Sequence, residues 1–302
     1  MLILNTVSND KVWGTKRLYE YSGDKNIDTI GSVYSVSGIK EISCEIISGD
    51  NSRDLYTAVK NNPEKFGLPE GVDYPIIISF TGADQDLSIQ VHPTDRYAKE
   101  YENKIIGKSE SWYFIEEPKE KFIYGESRLE DKDIIRKKIL DGKYEEVVDR
   151  VKVQKDDIAY IQSGSLHALT KGALVYEIQQ STDITYRFYD YDRKDRYGNK
   201  RELHLDHAIN TLDTNNKIQV EKFVENKKIE SEPYILIRSK LVGKYINEED
   251  IAQAITVTKG DLTVNGSTLK QGMSCLVLPG EEISIDKAAE EVVIATPKLY
   301  FV

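Results

Sequence analysis

Short runs of β-branched and aromatic residues dominate the chain. Residues 33–37, 75–80, 87–92, 111–116 and 151–161 each read as a strand. Turn residues such as Ser48-Gly49-Asp50 and Thr81-Gly82-Ala83-Asp84 separate them. Further runs follow at 173–179, 184–191 and 234–245. A last stretch, 252–297, is divided by Lys259-Gly260-Asp261, Asn265-Gly266 and Pro279-Gly280. Helical spacing is confined to three places. Residues 129–141 carry apolar side chains at 134, 135, 139 and 140, with Gly142 placed to end the helix. Residues 201–212 put Leu205, Ala208, Ile209 and Leu212 on one stripe. Ser52 is placed to cap a short helix through Val59. The pattern predicts a mostly β protein with helical insertions.

With 302 residues, 39% hydrophobic and 30% charged, the chain has material for a sizeable core, and collagen-like, disulfide-miniprotein and disordered classes are excluded. At about 150 residues per domain the length predicts two domains, although one large β domain would also use much of the chain. The polar, lysine-rich stretch 215–232 sets the boundary, giving residues 1–215, with a helical insertion around 128–150, and 216–302. The two parts echo each other. Asp157-Ile158-Ala159-Tyr160-Ile161-Gln162-Ser163-Gly164 and residues 272–280 both read as a strand ending in a sharp turn, as in two related small barrels. Only the first continues to a histidine, His167, so metal chemistry is expected in the first. Cys44 and Cys275 form neither a disulfide framework nor a Cys-rich zinc site. The start Met1-Leu2-Ile3-Leu4 turns polar at once, and no apolar run approaches the roughly 18 residues of a membrane span. A soluble, cytoplasmic protein without membrane contact is expected. The net charge of −10 argues against a nucleic-acid partner, but an anionic small molecule needs only a few local cations. Nineteen Tyr against seven Phe suit half-buried strands and polar-rimmed pockets.

Four segments carry candidate chemistry. In Leu87-Ser88-Ile89-Gln90-Val91-His92-Pro93, strand alternation turns Ser88, Gln90 and His92 to one side and Leu87, Ile89 and Val91 to the other. A solvated strand face would alternate identically. In Lys108-Ser109-Glu110-Ser111-Trp112, Lys108 and Glu110 share a face if a strand begins there; alone, such a pair is usually surface charge. His167 follows a turn in Ser163-Gly164-Ser165-Leu166-His167-Ala168, where a single histidine is more often structural. Together, one Gln, two His and one Glu on separate strands match the N/O donor set of catalytic zinc. His204 and His207 lie three apart on a polar-rich helix and read as surface or packing residues. The fourth segment, residues 177–193, is the densest. Glu177 and Gln179 share one face, and Arg187, Tyr189 and Tyr191 share another in the following strand. An arginine among tyrosines suits an oxyanion or phosphate, although a sheet-edge ladder of Tyr and charge would look the same.

At these segments the sequence resembles the type I phosphomannose isomerases (mannose-6-phosphate isomerases) of the short bacterial form. The resemblance rests on residues 87–93, Gly107-Lys108-Ser109-Glu110, residues 163–168 and 177–193, and Arg201-Glu202-Leu203-His204. Order and approximate spacing hold from about residue 74 to 212. The resemblance implies a cupin-type double-stranded β-helix (jelly-roll) barrel with a helical insertion and a smaller C-terminal β barrel. It makes Gln90, His92, Glu110 and His167 the ligands of one Zn²⁺ per chain and puts Arg187 in the catalytic position. Glu177, Lys108 and Ser88 would line the sugar-phosphate pocket, the phosphate held by local cations such as Lys108 with help from the Ser88 hydroxyl. Three positions depart from the family. Gly31-Ser32-Val33-Tyr34 stands where Gly-Glu-x-Trp is common, Ser79 where a lysine precedes the metal-binding Gln by eleven residues, and Gln162-Ser163-Gly164 where the turn before the second His has Pro. The first two remove a carboxylate and a cation, so another Lys or Arg is expected to substitute at the phosphate.

The implied reaction interconverts mannose 6-phosphate and fructose 6-phosphate through a cis-enediol(ate). Arg187 would stabilise the oxyanion and Glu177 carry the proton, with a zinc-bound water as rival. The alternatives are a non-catalytic, metal-containing sugar-phosphate-binding paralogue and a metal cupin of other chemistry such as an Fe(II) oxygenase. A monomer or weak homo-oligomer is expected, with the C-terminal barrel as packing support.

Overall fold

A computed structural model describes residues 1–194 and 198–301. These residues gather into two compact units. One joins residues 1–10, 16–81 and 223–302; the other joins 11–15 and 82–222. In space, therefore, the N-terminal stretches group with the C-terminal strands, while a division at 215/216 remains a proposal about the linear chain.

The first unit holds a seven-stranded antiparallel sheet, ordered Lys228–Glu230, Tyr234–Ser239, Glu291–Pro297, Gln253–Lys259, Ser274–Val277, Leu2–Leu4 and Ile46–Ser48. A four-stranded sheet is ordered Gly243–Ile246, Glu282–Lys287, Leu262–Val264 and Ser267–Leu269. Ile255, Val257, Leu262, Val264, Leu269 and Ile283 meet in its core. The hairpin between Leu262–Val264 and Ser267–Leu269 closes on Asn265 and Gly266, both at positive φ (47° and 75°). That backbone suits a two-residue turn whose twist matches the strands. The helix predicted near 52–59 runs Leu55–Asn61, and its cap is Asp54, whose side chain accepts from the Thr57 N–H. Ser52 is not the cap, because its N–H is held in a turn by Asp50 Oδ1 at 2.8 Å.

The second unit carries the five-stranded sheet Tyr186–Tyr189, Ile89–Val91, His167–Ala168, Phe122–Ser127 and Val148–Lys152. Within the same unit, Gln219–Lys222, Asp157–Ile161, Glu110–Glu116 and Leu174–Gln180 pair antiparallel in that order. The single run expected at 151–161 is thus two strands, broken at Asp156 (φ 66°). Helix Lys132–Leu140 ends as predicted. Gly142, at φ 73°, donates to the Ile139 carbonyl and Lys143 donates to Lys138, which satisfies carbonyls that a helix end leaves unpaired. Only Ile135 and Ile139 of its apolar positions are buried, since a nine-residue surface helix offers the core a narrow i, i+4 stripe. Helix Leu205–Thr211 buries Ala208 and Ile209. A further helix, Asp95–Tyr101, is capped by Thr94 and buries Ala98 alone, so its sequence has no apolar stripe to reveal it. Among the described residues, no helix is long and apolar enough to cross a membrane.

Candidate active site

Two strand registers assemble the site. Gln90 lies directly opposite His167 on one neighbouring strand and opposite Arg187 on the other, and directly paired residues project to the same face of a sheet. Ile89 and Val91 are buried on the opposite face, in a cluster with Leu166, Tyr186 and Phe188. Leu87, expected beside them, packs instead with Trp13 and Trp112, because the strand spans only Ile89–Val91. Glu110 opens its own strand and pairs with Ile161 on one side and Gln179 on the other.

His92, Glu110 and His167 are all buried, and one ligand atom from each lies within 4.8 Å of the others. His92 Nε2 is 3.3 Å from Glu110 Oε2, and His167 Nε2 is 3.4 Å from Glu110 Oε1. The other ring nitrogens face carbonyls: His92 Nδ1 donates to Ile184 at 2.8 Å and His167 Nδ1 donates to Ser165 at 2.9 Å. A carbonyl only accepts, so both rings carry Nδ1–H and turn an unprotonated Nε2 inward, as metal-binding histidines do. Glu110 Oε2 has no hydrogen bond of good geometry but has the Lys108 ammonium at 3.2 Å as an ion-pair partner, whereas His92 Nε2 and Glu110 Oε1 are buried without a hydrogen-bond partner. Such orphaned atoms are costly in a folded interior unless something binds them. Gln90 Nε2 lies 3.3 Å from His167 Nε2, and Ser88 Oγ donates to Gln90 Oε1 at 3.3 Å. The donor set suits a divalent metal with N/O preference.

Lys108 Nζ lies 3.2 Å from Glu110 and 3.9 Å from Glu177. Burial disfavours its charge, but Glu110, Glu177 and Asp183 outweigh burial and hold it above the ordinary lysine value. Burial likewise acts to raise the Glu110 carboxyl, yet Lys108 and then His92 and His167 hold it well below the usual carboxylate range. Burial, then Lys108, push the His92 imidazole down to about 3 against the pull of Glu110. Trp112 stands edge-on to the His167 ring, with centroids 5.6 Å apart.

Arg187 is half-buried with its Nε unpartnered. His204 holds its backbone from both sides, donating its own N–H to the Arg187 carbonyl (2.9 Å) and accepting the Arg187 N–H on Nδ1 (3.3 Å). His207 meets the Tyr97 hydroxyl at 3.0 Å. The expectation that Tyr189 and Tyr191 share the Arg187 face is corrected. A bulge follows Arg187, so that Tyr189 pairs with Ile89 rather than continuing the alternation. Tyr189 stacks on Tyr144, and Tyr191 meets Tyr144 edge-on.

No family model matches the chain, but curated relatives do. It is 36% identical over 217 residues to mannose-6-phosphate isomerase ManA of Bacillus subtilis, covering 70% of this chain and 68% of that one. It is 34% identical over 217 residues to the mannose-6-phosphate isomerase of Streptococcus mutans, covering 70% and 67%. The chain belongs to the mannose-6-phosphate isomerase family. In structure it is similar to the Bacillus subtilis mannose 6-phosphate isomerase, with a TM-score of 0.79 and 26% identity over 98% of this chain and 99% of that one. With the family comes the cupin-type β fold, and the chain is an isomerase.

Two further half-buried cations of the second unit, Lys11 and Arg201, have no role in the sequence reading. Lys11 is half-buried, and its strongest electrostatic neighbours are Asp183, Arg201, Arg187 and Lys108. Arg201 lies 3.4 Å from the buried carboxylate of Asp190. Arg201 stands inside a matched motif, whereas Lys11 is far from all of them, and the one local hint is its place two residues before Trp13.

Proposed function

We propose that the protein interconverts mannose 6-phosphate and fructose 6-phosphate, with one Zn²⁺ held by Gln90, His92, Glu110 and His167. The observation that carries this reading is the buried, inward-facing pair of His92 Nε2 and Glu110 Oε1, neither with a hydrogen-bond partner, beside His167. A metal held there would supply Lewis-acid polarisation to the substrate carbonyl. Glu177 takes the proton from C2 of the open-chain aldose, leaving a cis-enediolate, and returns it to C1 while the hydroxyl proton passes from O2 to O1. Arg187 stays charged throughout and stabilises the enediolate oxygen. Lys108, held charged by Glu110 and Glu177, sets a positive charge 3.9 Å from the Glu177 carboxylate. Ser88 orients the Gln90 amide. His92, Glu110 and His167 are themselves almost wholly buried, and burial strengthens the charge interactions among them.

The test is isomerisation of mannose 6-phosphate by the purified protein before chelation, after it, and after zinc is restored. Turnover should vanish with the metal and return with it. Arg187→Ala should keep its zinc and lose most of its rate, whereas His167→Ala should lose zinc as well. Bound zinc with no turnover would move the reading to a non-catalytic sugar-phosphate-binding paralogue.

A further inference from the structure

Arg187 lies on Tyr186–Tyr189, the outermost strand of its sheet, which pairs with Ile89–Val91 on its inner side. The bulge after Arg187 interrupts that pairing, and a bulge disrupts the ladder locally. The Arg187 Nε has no hydrogen-bond partner, which leaves the backbone to fix where the side chain starts. His204 stands at the outer edge in place of a further strand. Its N–H donates to the Arg187 carbonyl at 2.9 Å, and its ring Nδ1 accepts the Arg187 N–H at 3.3 Å. A residue of a neighbouring antiparallel strand would offer its own N–H and carbonyl to the same two groups. The His204 carbonyl is committed elsewhere: it accepts the Ala208 N–H at 2.8 Å and so begins helix Leu205–Thr211.

We propose that His204 is a positioning residue for Arg187, its ring nitrogen replacing a backbone carbonyl so that one residue both starts a helix and pairs with the strand that carries Arg187. The clamp rests on this geometry; its effect on turnover rests on the isomerase reading above.

The residue type follows from the task. The position before a helix favours Ser, Thr, Asp or Asn, whose side-chain oxygens cap the first N–H groups. His204 makes no such bond, because its ring reaches to the strand. Helix Leu205–Thr211 buries Ala208 and Ile209 in the cluster that holds Ile89, Val91, Tyr186 and Phe188. Helix start and strand are thereby packed on one core, at a separation the ring spans. Accepting at Nδ1 requires a neutral ring with its proton on Nε2, the reverse of His92 and His167. The His204 Nε2 lies 3.9 Å from the exposed Glu202 carboxylate. Burial first, and then the Arg187 charge, hold His204 below the ordinary histidine value; His207 adds to this, and Glu202 and Glu102 oppose it. The neutral, accepting form is favoured. A shift of the Arg187 backbone would move its guanidinium relative to Gln90, its partner in register.

The experiment uses the zinc-loaded full chain and compares the parent with His204→Asn, His204→Leu, and His204→Leu combined with Arg187→Ala. Asparagine places Oδ1 where the ring has Nδ1 and keeps the acceptor, whereas leucine removes it. Nitrogen NMR of the four histidines reads the tautomer, and amide exchange reads the Arg187 N–H. Mannose 6-phosphate kinetics and zinc content read the site. In the parent, His204 should carry its proton on Nε2. His204→Leu should speed Arg187 amide exchange by about 10-fold, the loss of one hydrogen bond. It should lower kcat by about 10- to 100-fold, as a displacement approaching 1 Å does, with KM and zinc content within a few-fold of the parent. His204→Asn should recover most of both losses. Beside Arg187→Ala, His204→Leu should cost little more, because it acts through Arg187. If His204→Leu does not fold, His204→Gln takes its place, polar but with its oxygen near the Nε2 position. A proton on Nδ1 in the parent would overturn the clamp, as would unchanged Arg187 exchange in the variant that lacks the acceptor. Parental kcat in that variant, no recovery with asparagine, or a full further loss beside Arg187→Ala would reject the positioning role. A zinc-loaded parent without turnover would remove the isomerase reading, and tautomer and amide exchange would still decide the clamp.

Discussion

Replacing Gly107 by alanine removes no chemical group from the site, yet it should disable it. A Cβ at Gly107 would lie 2.2 Å from the Pro93 carbonyl oxygen, 2.6 Å from the Thr94 carbonyl carbon and 2.8 Å from the Asp95 nitrogen. All three are backbone atoms, so no side-chain rotation relieves the contact. Three hydrogen bonds hold the segments together there: Gly107 N–H to Asp95 Oδ1 (2.7 Å), Lys108 N–H to the Pro93 carbonyl (3.0 Å) and Thr182 Oγ1 to the Gly107 carbonyl (2.7 Å). Opening the closest contact to about 3.0 Å needs a displacement of roughly 0.8 Å. That movement falls on the residues next in sequence to Pro93 and Gly107, which are His92 and Lys108. Overpacking of this kind costs about 1–3 kcal/mol, or a fall in Tm of roughly 2–8 °C for a chain of this size. The effect on rate should be larger, since a displacement near 1 Å at a catalytic group can cost about 100-fold. The assay is kcat/KM measured beside thermal unfolding and metal content, with Gly142→Ala as control. Gly142 has φ 73° and nothing within 4 Å of its added Cβ, so it should lose about 1–2 kcal/mol of stability and no activity. Parental kcat/KM in folded, metal-loaded Gly107→Ala would refute the reasoning.

Asn247→Ala should destabilise the first unit by about 2–4 kcal/mol without altering kcat of the folded fraction. Its buried amide donates to the Ile251 and Val277 carbonyls at 2.9 and 2.8 Å, and its loss leaves both unsatisfied; denaturant unfolding reads the change. In metal-free protein, stability should fall as pH drops from 6.5 toward 3. His92 has a folded value of about 3, so in that window the unfolded chain binds a proton that the folded chain does not. A shallower decline is expected for metal-free His92→Gln, and an identical slope would show that His92 is not the group responsible. Ser79→Lys should be destabilising alone and less so together with Ser32→Glu. Ser32 and Ser79 are buried and both bond the Thr81 hydroxyl, at 3.0 and 3.3 Å, so a lone buried ammonium there lacks a partner that the double variant restores. Strictly additive unfolding energies would contradict that pairing.

Much of the fold was legible because strand and turn signals are local. Asn265-Gly266 marked its hairpin, and Gly142 marked the end of its helix, since each supplies a backbone conformation that few other residues adopt. Elements whose signal is not local escaped. Helix Asp95–Tyr101 buries only Ala98 and so carries no apolar periodicity. The bulge after Arg187 reversed the faces expected of Tyr189, because alternation assumes a regular ladder, and one extra residue breaks it.

The candidate site divides along the same line. Gln90, His92, Glu110 and His167 sit in short segments dense with polar residues at strand spacing. What alternation leaves open is depth: it tells which residues share a face, not whether that face meets water. Register resolves this by setting Gln90 opposite both His167 and Arg187, and burial then turns an ambiguous polar face into a set of unsatisfied ligand atoms. The charge balance around the site follows a different logic. Electrostatic interactions act across several ångströms and require no sequence spacing, so a cation can serve a site from any segment the fold brings near. Lys11 lies 79 residues before Gln90 in the chain, yet it stands among Lys108, Arg187 and Arg201 because Trp13 packs its segment into the core of the second unit. The apolar residue thus fixes where the charge goes. By this argument Trp13→Ala should raise KM for mannose 6-phosphate by releasing the segment that carries Lys11, while also lowering stability by about 3–5 kcal/mol. A Trp13→Ala variant that unfolds earlier but keeps the parental KM would break the link between the buried anchor and the placement of Lys11.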